Sequence, residues 1–493
     1  MRNSMSPRTR PTNPAIGLLA FLVIGLTAGR LGAEEDAPHT FENVTEQSGL
    51  QGAGMAAWSD YNNDGHADVV VDGTLFANQG DATFKGVPGF IASRGAWADF
   101  DNDGRPDYYV TSGKGALLRN LGDDRFQSVP VPPNPEGHSR GAAWADADND
   151  GFVDLYVTNY EIWPTRSFFD LLYMNNGDGT FSEPTRFPPE KNWRARGVNW
   201  SDFDNDGDQD FYVSNYRLMP NQLWINDGSG EFTDEAQARG VHGIPAGGTE
   251  PGNNDSAPYQ YCGHTIGSVF GDLNNDGHID LVVVNFAHAG AYQDRTMVCI
   301  SSGPPAYTFT NIGNKAGIHY QESYSKGALG DYDNDGDLDL YLTTIYGHNN
   351  GTLFENDGTG RFTDVGDKTG TRGGNSYQVA WVDYDNDGDL DLHANGKLLR
   401  NRGNDNGWVR IGVVGDGESN ASAIGARVTV TAGDKTQLRE VRAGSSGNQD
   451  DPSLHVGLGG HEGPVQIQVR FPSGKTVSKT VEARQRVIVR ESE

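Results

Sequence analysis

The sequence lacks the features that mark several common classes of protein. It has 2 Cys in 493 residues, too few for a disulfide scaffold, and it is long enough to bury a hydrophobic core without one. It has 38 Lys and Arg against 67 Asp and Glu, so the formal net charge is −29. This acidity argues against nucleic acid and anionic membrane surfaces as partners and points to cations. The 12 His are scattered, and neither G-x-S-x-G nor H-E-x-x-H occurs.

Long apolar runs are confined to the first 33 residues. Three Arg within the first ten residues precede an uncharged, largely apolar run over 15–29, and Leu-Gly-Ala follows at 31–33. This pattern is typical of a secretory signal peptide, with an uncleaved membrane anchor as the alternative. We expect a secreted protein that is extracellular, at the cell surface or periplasmic, with no membrane insertion once the signal is removed. After export, Cys262 and Cys299 could form a disulfide, and two buried free thiols are the alternative.

One nine-residue pattern, D-x-[DN]-x-D-G-x-x-D, occurs seven times. The copies, called loops one to seven, span 60–68, 99–107, 146–154, 202–210, 272–280, 331–339 and 383–391. Most follow a short apolar segment, and each precedes a run rich in strand-forming residues, such as PDYYVT at 106–111. A turn of the form N-x-G-x-x-x-F recurs downstream of five loops. Four antiparallel strands per unit predict an all-β, seven-bladed β-propeller, because an open array of hairpins could not bury both faces.

An aromatic residue precedes most of the acidic loops. A Trp occupies this place in five units: Trp58, Trp97, Trp144, Trp200 and Trp381. Regular spacing and apolar neighbours predict packing between blades rather than a platform for a ligand. Phe270 and Leu329 take the same place in units five and six, which also fits packing.

The acidic loops stop near Gly403, and the remaining segments alternate apolar and polar residues. This pattern predicts a small all-β domain, a β-sandwich, after the propeller. The predicted organisation is a signal peptide at 1–33, a propeller at 41–402 and a sandwich at 403–493.

The acidic loops have the ligands that calcium prefers. Oxygen donors at alternate positions and a Gly at position six suit a hard cation of this size, whereas zinc would need His or Cys. Positions one, three, five and nine are the predicted side-chain ligands, and position seven offers its carbonyl. These side chains are Asp60, Asn62, Asp64 and Asp68; Asp99, Asp101, Asp103 and Asp107; Asp146, Asp148, Asp150 and Asp154; Asp202, Asp204, Asp206 and Asp210; Asp272, Asn274, Asp276 and Asp280; Asp331, Asp333, Asp335 and Asp339; and Asp383, Asp385, Asp387 and Asp391.

The nine-residue pattern also shares features with an EF-hand and with a network of Asx turns. An EF-hand is excluded because it needs Glu at position twelve, where the seven copies have Val, Leu or Ala, and because the flanks are predicted strands. A network of Asx turns without metal is the remaining alternative. We expect up to seven structural calcium ions.

Four basic residues stand at the start of predicted innermost strands. Arg94, Arg140, Arg196 and Lys326 lie five or six positions before loops two, three, four and six, each directly before a Gly. Equivalent positions of a propeller surround the channel mouth opposite the loops. These residues could bind an anion such as a sugar acid or carboxylate, and charge balance against neighbouring Asp is the alternative.

The motifs together resemble a known family. The seven loops resemble the FG-GAP/VCBS repeats of integrin-α-type propellers, with units one and five departing through Asn62 and Asn274. The segments FENVTEQSGL (41–50), FTDEAQARGV (232–241), FTNIGNKAGI (309–318) and FTDVGDKTGT (362–371) resemble a connector of the cartilage acidic protein family. In the tail, IGARVTVTAG (424–433), REVRAGSSG (439–447) and VRFPSGK (469–475) resemble the ASPIC/UnbV domain that ends this family. The resemblance implies a secreted calcium-binding propeller, and it implies no reaction.

The expected function is that of a binding or adhesion module with structural calcium, more than that of an enzyme. Its ligand would be a protein or a glycan, and we expect a monomer. The alternatives are a carbohydrate lyase or hydrolase that uses the channel mouth and an accessory protein of secondary metabolism.

Overall fold

The computed structural model of the chain describes residues 40–52, 54–189, 192–243, 262–288, 293–313, 315–445 and 447–493. The predicted signal peptide at 1–33 lies outside the described residues. Among the described residues, no helix is long and apolar enough to cross a membrane.

The acidic repeats and their flanks form seven antiparallel sheets of four strands each, here called blades one to seven. The chain enters through β1 (Phe41–Asn43) and α1 (Thr45–Ser48). Blade one holds β2 (Ala56–Ser59), β3 (Asp68–Val71), β4 (Thr74–Asn78) and β5 (Phe84–Gly86), and blade two holds β6 (Gly95–Ala98), β7 (Asp107–Val110), β8 (Ala116–Asn120) and β9 (Phe126–Val129). Blade three holds β10 (Ser139–Ala145), β11 (Asp154–Asn159), β14 (Asp170–Tyr173) and β15 (Thr185–Phe187), with a separate hairpin of β12 (Glu161–Ile162) and β13 (Arg166–Ser167).

The next four blades follow the same order. Blade four holds β16 (Ala195–Ser201), β17 (Asp210–Asn215), β18 (Gln222–Asn226) and β19 (Phe232–Asp234), and α2 (Ala236–Arg239) follows it. Blade five holds β20 (His264–Gly271), β21 (Asp280–Phe286), β22 (Met297–Ser301) and β23 (Phe309–Asn311). Blade six holds β24 (Tyr324–Gly330), β25 (Asp339–Thr344), β26 (Thr352–Asn356) and β27 (Phe362–Asp364), and α3 (Gly366–Thr369) follows it. Blade seven holds β28 (Val379–Val382), β29 (Asp391–Ala394) and β30 (Lys397–Asn401), with β1 as its fourth strand.

The ring of blades is closed by its two ends. The entering strand β1 pairs antiparallel with β30, so that Phe41 lies opposite Asn401. The innermost strands β2, β6, β10, β16, β20, β24 and β28 contact one another in this cyclic order, and β28 contacts β2 again. Closure covers the inner strand edges, which would otherwise be open to aggregation. The predicted all-β propeller is confirmed.

The aromatic residues before the loops pack between blades, as predicted. Trp58, Trp97 and Trp144 are fully buried. The indole N–H of Trp97 donates to the Ala57 carbonyl in the preceding blade at 3.1 Å, and that of Trp144 donates to the Ala96 carbonyl at 3.3 Å. The indoles of Trp97 and Trp144 therefore pack against the innermost strand of the preceding blade, and each has an acceptor for its N–H group.

The tail is a two-sheet sandwich, as predicted. Its strands are β31 (Gly407–Val414), β32 (Arg427–Ala432), β33 (Lys435–Glu440), β34 (Ala443–Ser445), β35 (Leu454–Gly459), β36 (Val465–Arg470), β37 (Thr476–Val481) and β38 (Gln485–Arg490). One sheet has the order β35–β31–β38 and the other β33–β32–β36–β37. Alternating apolar residues of both sheets, among them Val409, Val428 and Ile467, form the core between them.

One segment of the tail leaves the sandwich and enters the propeller channel. This segment, residues 442–445 and 447–451, is here called the plug. Its strand β34 pairs antiparallel with β10, so blade three gains a fifth strand. Further along, the Gln449 backbone donates to the Ala56 carbonyl at 2.9 Å and accepts from the Trp58 N–H at 3.1 Å. The Asp450 carboxylate accepts from the Trp381 N–H at 2.8 Å. The plug thus bonds to the innermost strands of blades one, three and seven, and the chain from residue 39 onward forms one compact unit.

The predicted disulfide is not present. Cys262 and Cys299 are both buried free thiols, which was the alternative interpretation. Cys299 lies in β22 within an apolar cluster that includes Phe270 and Met297, where it packs as a small hydrophobic residue. Burial raises the pKa of Cys262 to about 12, so this thiol stays protonated at neutral pH.

Replacing Gln449 by Ala tests whether the plug stabilises the ring. The Gln449 amide accepts from the Trp97 N–H at 2.8 Å and donates to the Trp97 carbonyl at 3.3 Å. Because Gln449→Ala leaves both buried groups without a partner, we expect the free energy of unfolding to fall by about 1–3 kcal/mol. Chemical denaturation measures this, with Gln127→Ala on the exposed side of β9 as the control. An equal effect of the two substitutions would contradict a stabilising plug.

Candidate metal centres

All seven loops share one unusual backbone conformation. The Asn at position four has φ between 54° and 59° in every loop, from Asn63 to Asn386, and the Gly at position six has φ between 83° and 109°. Both values lie in the left-handed region, which Gly adopts freely and Asn tolerates better than most residues. The Gly at position six was part of the predicted pattern, whereas the conformation of the Asn at position four was not. The presence of Asn at position four of all seven copies was the signal that could have revealed it.

Carboxylates at positions one and nine hold each loop in shape. In loop two, Asp99 accepts from the N–H groups of Asp103 at 3.0 Å and Gly104 at 2.6 Å. Asp107, at position nine, accepts from Phe100 at 3.2 Å and from Asn120 of β8 at 2.7 Å. The Asx-type hydrogen bonds proposed as an alternative to metal binding are therefore present. In loop two, the carboxylates at positions one and nine accept these bonds from backbone N–H groups, whereas both carboxylate oxygens of Asp101 at position three lack a hydrogen-bond donor.

Several buried carboxylate oxygens have no hydrogen-bond donor. At position three, these oxygens belong to Asp101, Asp148, Asp204, Asp333 and Asp385, and at position one to Asp202, Asp331 and Asp383. A buried polar oxygen without a partner costs about 1–3 kcal/mol, and an anionic oxygen costs more. A cation in the loop would remove this cost, so the residues present fit a metal ion.

Five loops bring three carboxylates close enough to share one ion. Positions one, three and nine of loops two, three, six and seven have carboxylate oxygens within 4.8 Å of one another, and so do positions one, three and five of loop four. In loop two, position five lies outside the cluster, and its Asp103 accepts from the N–H of Arg105 at 3.1 Å. The position-seven carbonyl stays a prediction.

Loops one and five have a different arrangement because position three is Asn. The Asn62 amide donates to Asp64 at 2.9 Å, and its oxygen accepts from the Asp64 N–H at 3.0 Å. Asn274 and Asp276 repeat this pair in loop five. The amide is thus used within the loop, which gives these two predicted sites fewer free oxygens than the others.

The five clusters differ in the positive charge near them. Arg119 lies 2.6 Å from Asp101 in loop two, and Arg400 lies 2.8 Å from Asp385 in loop seven. Loop three has no such partner, because no basic group of the described residues lies within 4 Å of its carboxylates. Burial, together with the charges of Asp150 and Asp148, raises the pKa of Asp146 to about 7. Loop three therefore lacks the partial neutralisation by an Arg that loops two and seven have.

Asn side chains link neighbouring loops and blades around the ring. Asn63 donates to the Gly104 carbonyl of the next loop at 2.8 Å, and Asn386 of loop seven returns to Gly65 of loop one at 3.2 Å. A second set comes from the N-x-G turns. The Asn120 amide donates to the Tyr61 carbonyl of the preceding blade at 2.7 Å, and the equivalent residues Asn78, Asn175, Asn226, Asn356 and Asn401 make the same bond.

The junction between blades four and five lacks both kinds of link among the described residues. Ser301 takes the place of the N-x-G Asn, and Asn205 accepts from Arg470 of the sandwich at 3.1 Å instead of donating to loop five. The tail bridges this junction. Glu440 accepts from the Asp202 N–H of blade four at 2.9 Å, and Arg442 donates to the Phe270 carbonyl of blade five at 2.8 Å.

Basic side chains of the sandwich lie against the acidic loops. Arg470 lies 2.5 Å from Asp202 in loop four. Arg410, which is almost fully buried, lies 3.2 Å from Asp383 in loop seven and also pairs with Asp451. The loop end of the channel is therefore covered by the tail. The other end, here called the open end, is where the inner strands begin.

The four predicted anion-binding residues come together at the open end. The guanidinium groups of Arg140 and Arg196 lie over the same ring, that of Tyr160, at 5.5 and 4.8 Å. Burial, followed by repulsion from Arg140 and Arg196, lowers the pKa of Arg94. Burial, followed by repulsion from Arg196 and Arg94, lowers the pKa of Lys326, so the four basic groups lie near one another. No carboxylate of the described residues lies within 4 Å of the three Arg, so the alternative of local charge balance gains no support.

Comparison with known proteins agrees with this geometry. The FG-GAP-like repeat profile matches residues 60–110, 99–157, 169–213, 202–283, 272–342 and 331–394, and the ASPIC and UnbV profile matches 415–493. The chain belongs to the cartilage acidic protein-like family of FG-GAP-repeat proteins. Cartilage acidic protein 1 of Mus musculus is 27% identical over 317 residues, which cover 58% of this chain and 43% of that protein. The Homo sapiens protein is 25% identical over 316 residues, which cover 58% and 42%. The chain thus spans less than half of these relatives.

Two solved structures are similar to this chain at low scores. A lectin of Agrocybe aegerita, described as recognising non-reducing terminal N-acetylglucosamine, is 19% identical with a TM-score of 0.41, covering 65% of this chain and 81% of its own. The Tc holotoxin pore of Photorhabdus luminescens is 13% identical with a TM-score of 0.32, covering 81% and 17%. At these scores, the family is established by the repeat and tail profiles alone.

Replacing Asn120 by Ala tests the links between blades. The substitution leaves the carbonyls of Tyr61 and Pro106 without this donor, so we expect the free energy of unfolding to fall by about 1–3 kcal/mol. Asn176→Ala, at an exposed position of the blade-three turn, is the control for loss of an Asn side chain. Denaturant titration compares the two variants, and a loss no larger for Asn120 would show that the links add nothing to stability.

Proposed function

We propose that the chain is an exported calcium-binding β-propeller that serves as a binding or adhesion module. The observation that supports calcium is the set of buried carboxylate oxygens without a donor, at position three of five loops and at position one of three of these loops. The ions are structural: each neutralises a cluster of carboxylates that the fold brings within 4.8 Å of one another. By analogy with other extracellular calcium modules, each site binds with a Kd on the order of 10⁻⁴–10⁻³ M.

The binding role is supported by the contrast between the two ends of the channel. The loop end is covered by the sandwich. At the open end, several large apolar side chains are exposed, including Ile91 at 85%, Trp163 at 61% and Tyr346 at 37%. These side chains lie on connectors of different blades, where they are free to contact a ligand or partner that covers the open end.

An enzyme acting on carbohydrate is the second candidate. One group at the open end favours it: Glu322 lies 3.0 Å from His288 and 3.3 Å from His348, a carboxylate–imidazole arrangement that could exchange protons with a substrate. A glycan screen with product detection separates the candidates. Turnover would favour the enzyme, and stabilisation without turnover would favour the binding module.

Replacing Asp148 by Asn tests the calcium sites at loop three, which has no basic partner. The wild-type chain should melt at a lower temperature in chelator and recover with calcium, and ten times Kd would contribute about 1.4 kcal/mol per site. Asp148→Asn should bind one ion fewer by equilibrium dialysis with radioactive calcium, and should lose part of the calcium-dependent shift in melting temperature.

The control is Asp178→Asn, which removes the same charge from an exposed turn of the same blade. It should leave both readouts unchanged. A wild-type chain that binds no calcium and melts at the same temperature with and without chelator would refute the calcium function.

A further inference from the structure

The open end of the channel concentrates positive charge in a chain whose net charge is −29. Arg94, Arg140, Arg196 and Lys326 come from the innermost strands, or the residues just before them, of four different blades. Arg94 donates to the Ser139 carbonyl at 3.1 Å, and the buried Lys326 ammonium donates to the Ile266 carbonyl at 3.2 Å. These bonds to neighbouring blades hold the basic groups toward the channel axis.

Aromatic rings fix the guanidinium groups. Arg196 lies 5.2 Å from the centre of the Tyr216 ring and 5.6 Å from that of Tyr377, and it donates to the Tyr377 hydroxyl at 3.2 Å. Together with the Tyr160 ring shared with Arg140, this makes a wall of three Tyr around two guanidinium groups. Cation–π contacts orient a guanidinium without neutralising its charge.

The fold supplies no anion for these groups among the described residues. The Nε atoms of Arg94 and Arg140 are buried without an acceptor. The adjacent acid, Glu161, is already held by Arg194 at 2.6 Å and Arg217 at 2.8 Å. Burial, followed by repulsion from neighbouring Arg, lowers the pKa of Arg94 and Arg140, a cost that a bound anion would relieve.

The plug lies beneath the cationic cluster. A side chain at Gly447, whose φ is 99°, would begin 3.3 Å from the Arg140 carbonyl and 3.7 Å from the Arg94 side chain. Asn448 donates to the Tyr377 carbonyl at 2.8 Å. The sandwich therefore reaches through the channel to the basic cluster, and a ligand would enter from the open end.

We propose that Arg94, Arg140 and Arg196 bind the carboxylates of an acidic saccharide at the open end of the channel. Guanidinium groups pair with carboxylates through two parallel hydrogen bonds. The exposed Trp163 ring extends the site: Arg217 lies 4.0 Å from its centre and 5.7 Å from that of Tyr216. Aromatic faces suit the apolar faces of sugar rings better than they suit a bare inorganic anion. This inference rests on the proposed binding function and names its ligand class.

Calorimetric titration with trigalacturonate tests the proposal, with its carboxyl-reduced neutral trisaccharide as the matched ligand and calcium present throughout. Wild-type protein should bind the acidic form and not the neutral one. Arg140→Met and Arg196→Met, which keep the apolar stem, should each raise Kd about tenfold. Arg125→Met removes an exposed Arg from a blade-two turn at the loop end and should leave Kd unchanged. Trp163→Ala should weaken the trisaccharide more than the monosaccharide galacturonate.

Other outcomes would overturn the proposal. These are equal binding of the neutral trisaccharide, equal binding of a tetraglutamate peptide, no binding of trigalacturonate at millimolar concentration, or unchanged affinity in both Arg variants. Melting curves confirm that each variant is folded. If calcium stabilises the chain but trigalacturonate does not bind, the proposed saccharide site is wrong and the proposed calcium function is supported. If trigalacturonate binds but calcium does not stabilise the chain, only the proposed calcium function is wrong.

Discussion

The fold depends on how the nine-residue loop uses its own carboxylates. An Asp at position nine, such as Asp107, accepts one backbone N–H from its loop and one from the third strand of its blade, so a single side chain fixes three parts of the sheet. The position-nine carboxylate is thus used to hold the backbone in place, whereas buried oxygens at position three have no hydrogen-bond donor. The clustered carboxylates repel one another and are partly removed from water, so a cation bound in the loop would lower the free energy of the folded chain.

The ring is held by repeated polar links. Its one irregular junction among the described residues, where Asn199 donates directly to the Ser268 carbonyl at 2.8 Å, is also bridged by the tail. Six blades donate an Asn amide to the preceding blade, whereas Ser301 in blade five cannot. Glu440 and Arg442 instead bond blades four and five through the sandwich. With the plug inside the channel, the sandwich acts as a structural part of the propeller. Arg410 of the sandwich is almost fully buried in this contact. Its charge is tolerated there because Asp383 and Asp451 both form ion pairs with it.

The two ends of the channel have opposite electrostatic character. At the loop end, acidic clusters meet basic side chains of the tail. At the open end, Arg94, Arg140 and Arg196 face one another with aromatic neighbours and no acid of the described chain within 4 Å. Such separation of charge lets a strongly acidic protein attract an anion at one place, because the low-dielectric wall of Tyr rings focuses the local field. It also separates the metal sites from the proposed ligand site along the channel axis.

The sequence by itself determined what lies within short stretches of chain. The repeat predicted the strands and the closed ring. Spacing within nine residues predicted the carboxylate clusters of loops two, three, four, six and seven, because a tight turn with Gly at position six brings alternate side chains of a short segment together. Tertiary structure decided what depends on distant residues. Gln449 meets Trp97 across 352 positions, Cys299 faces an apolar cluster rather than Cys262, and the Asn120 link crosses between blades. No local pattern encodes such contacts, since they arise only when the blades close around the plug.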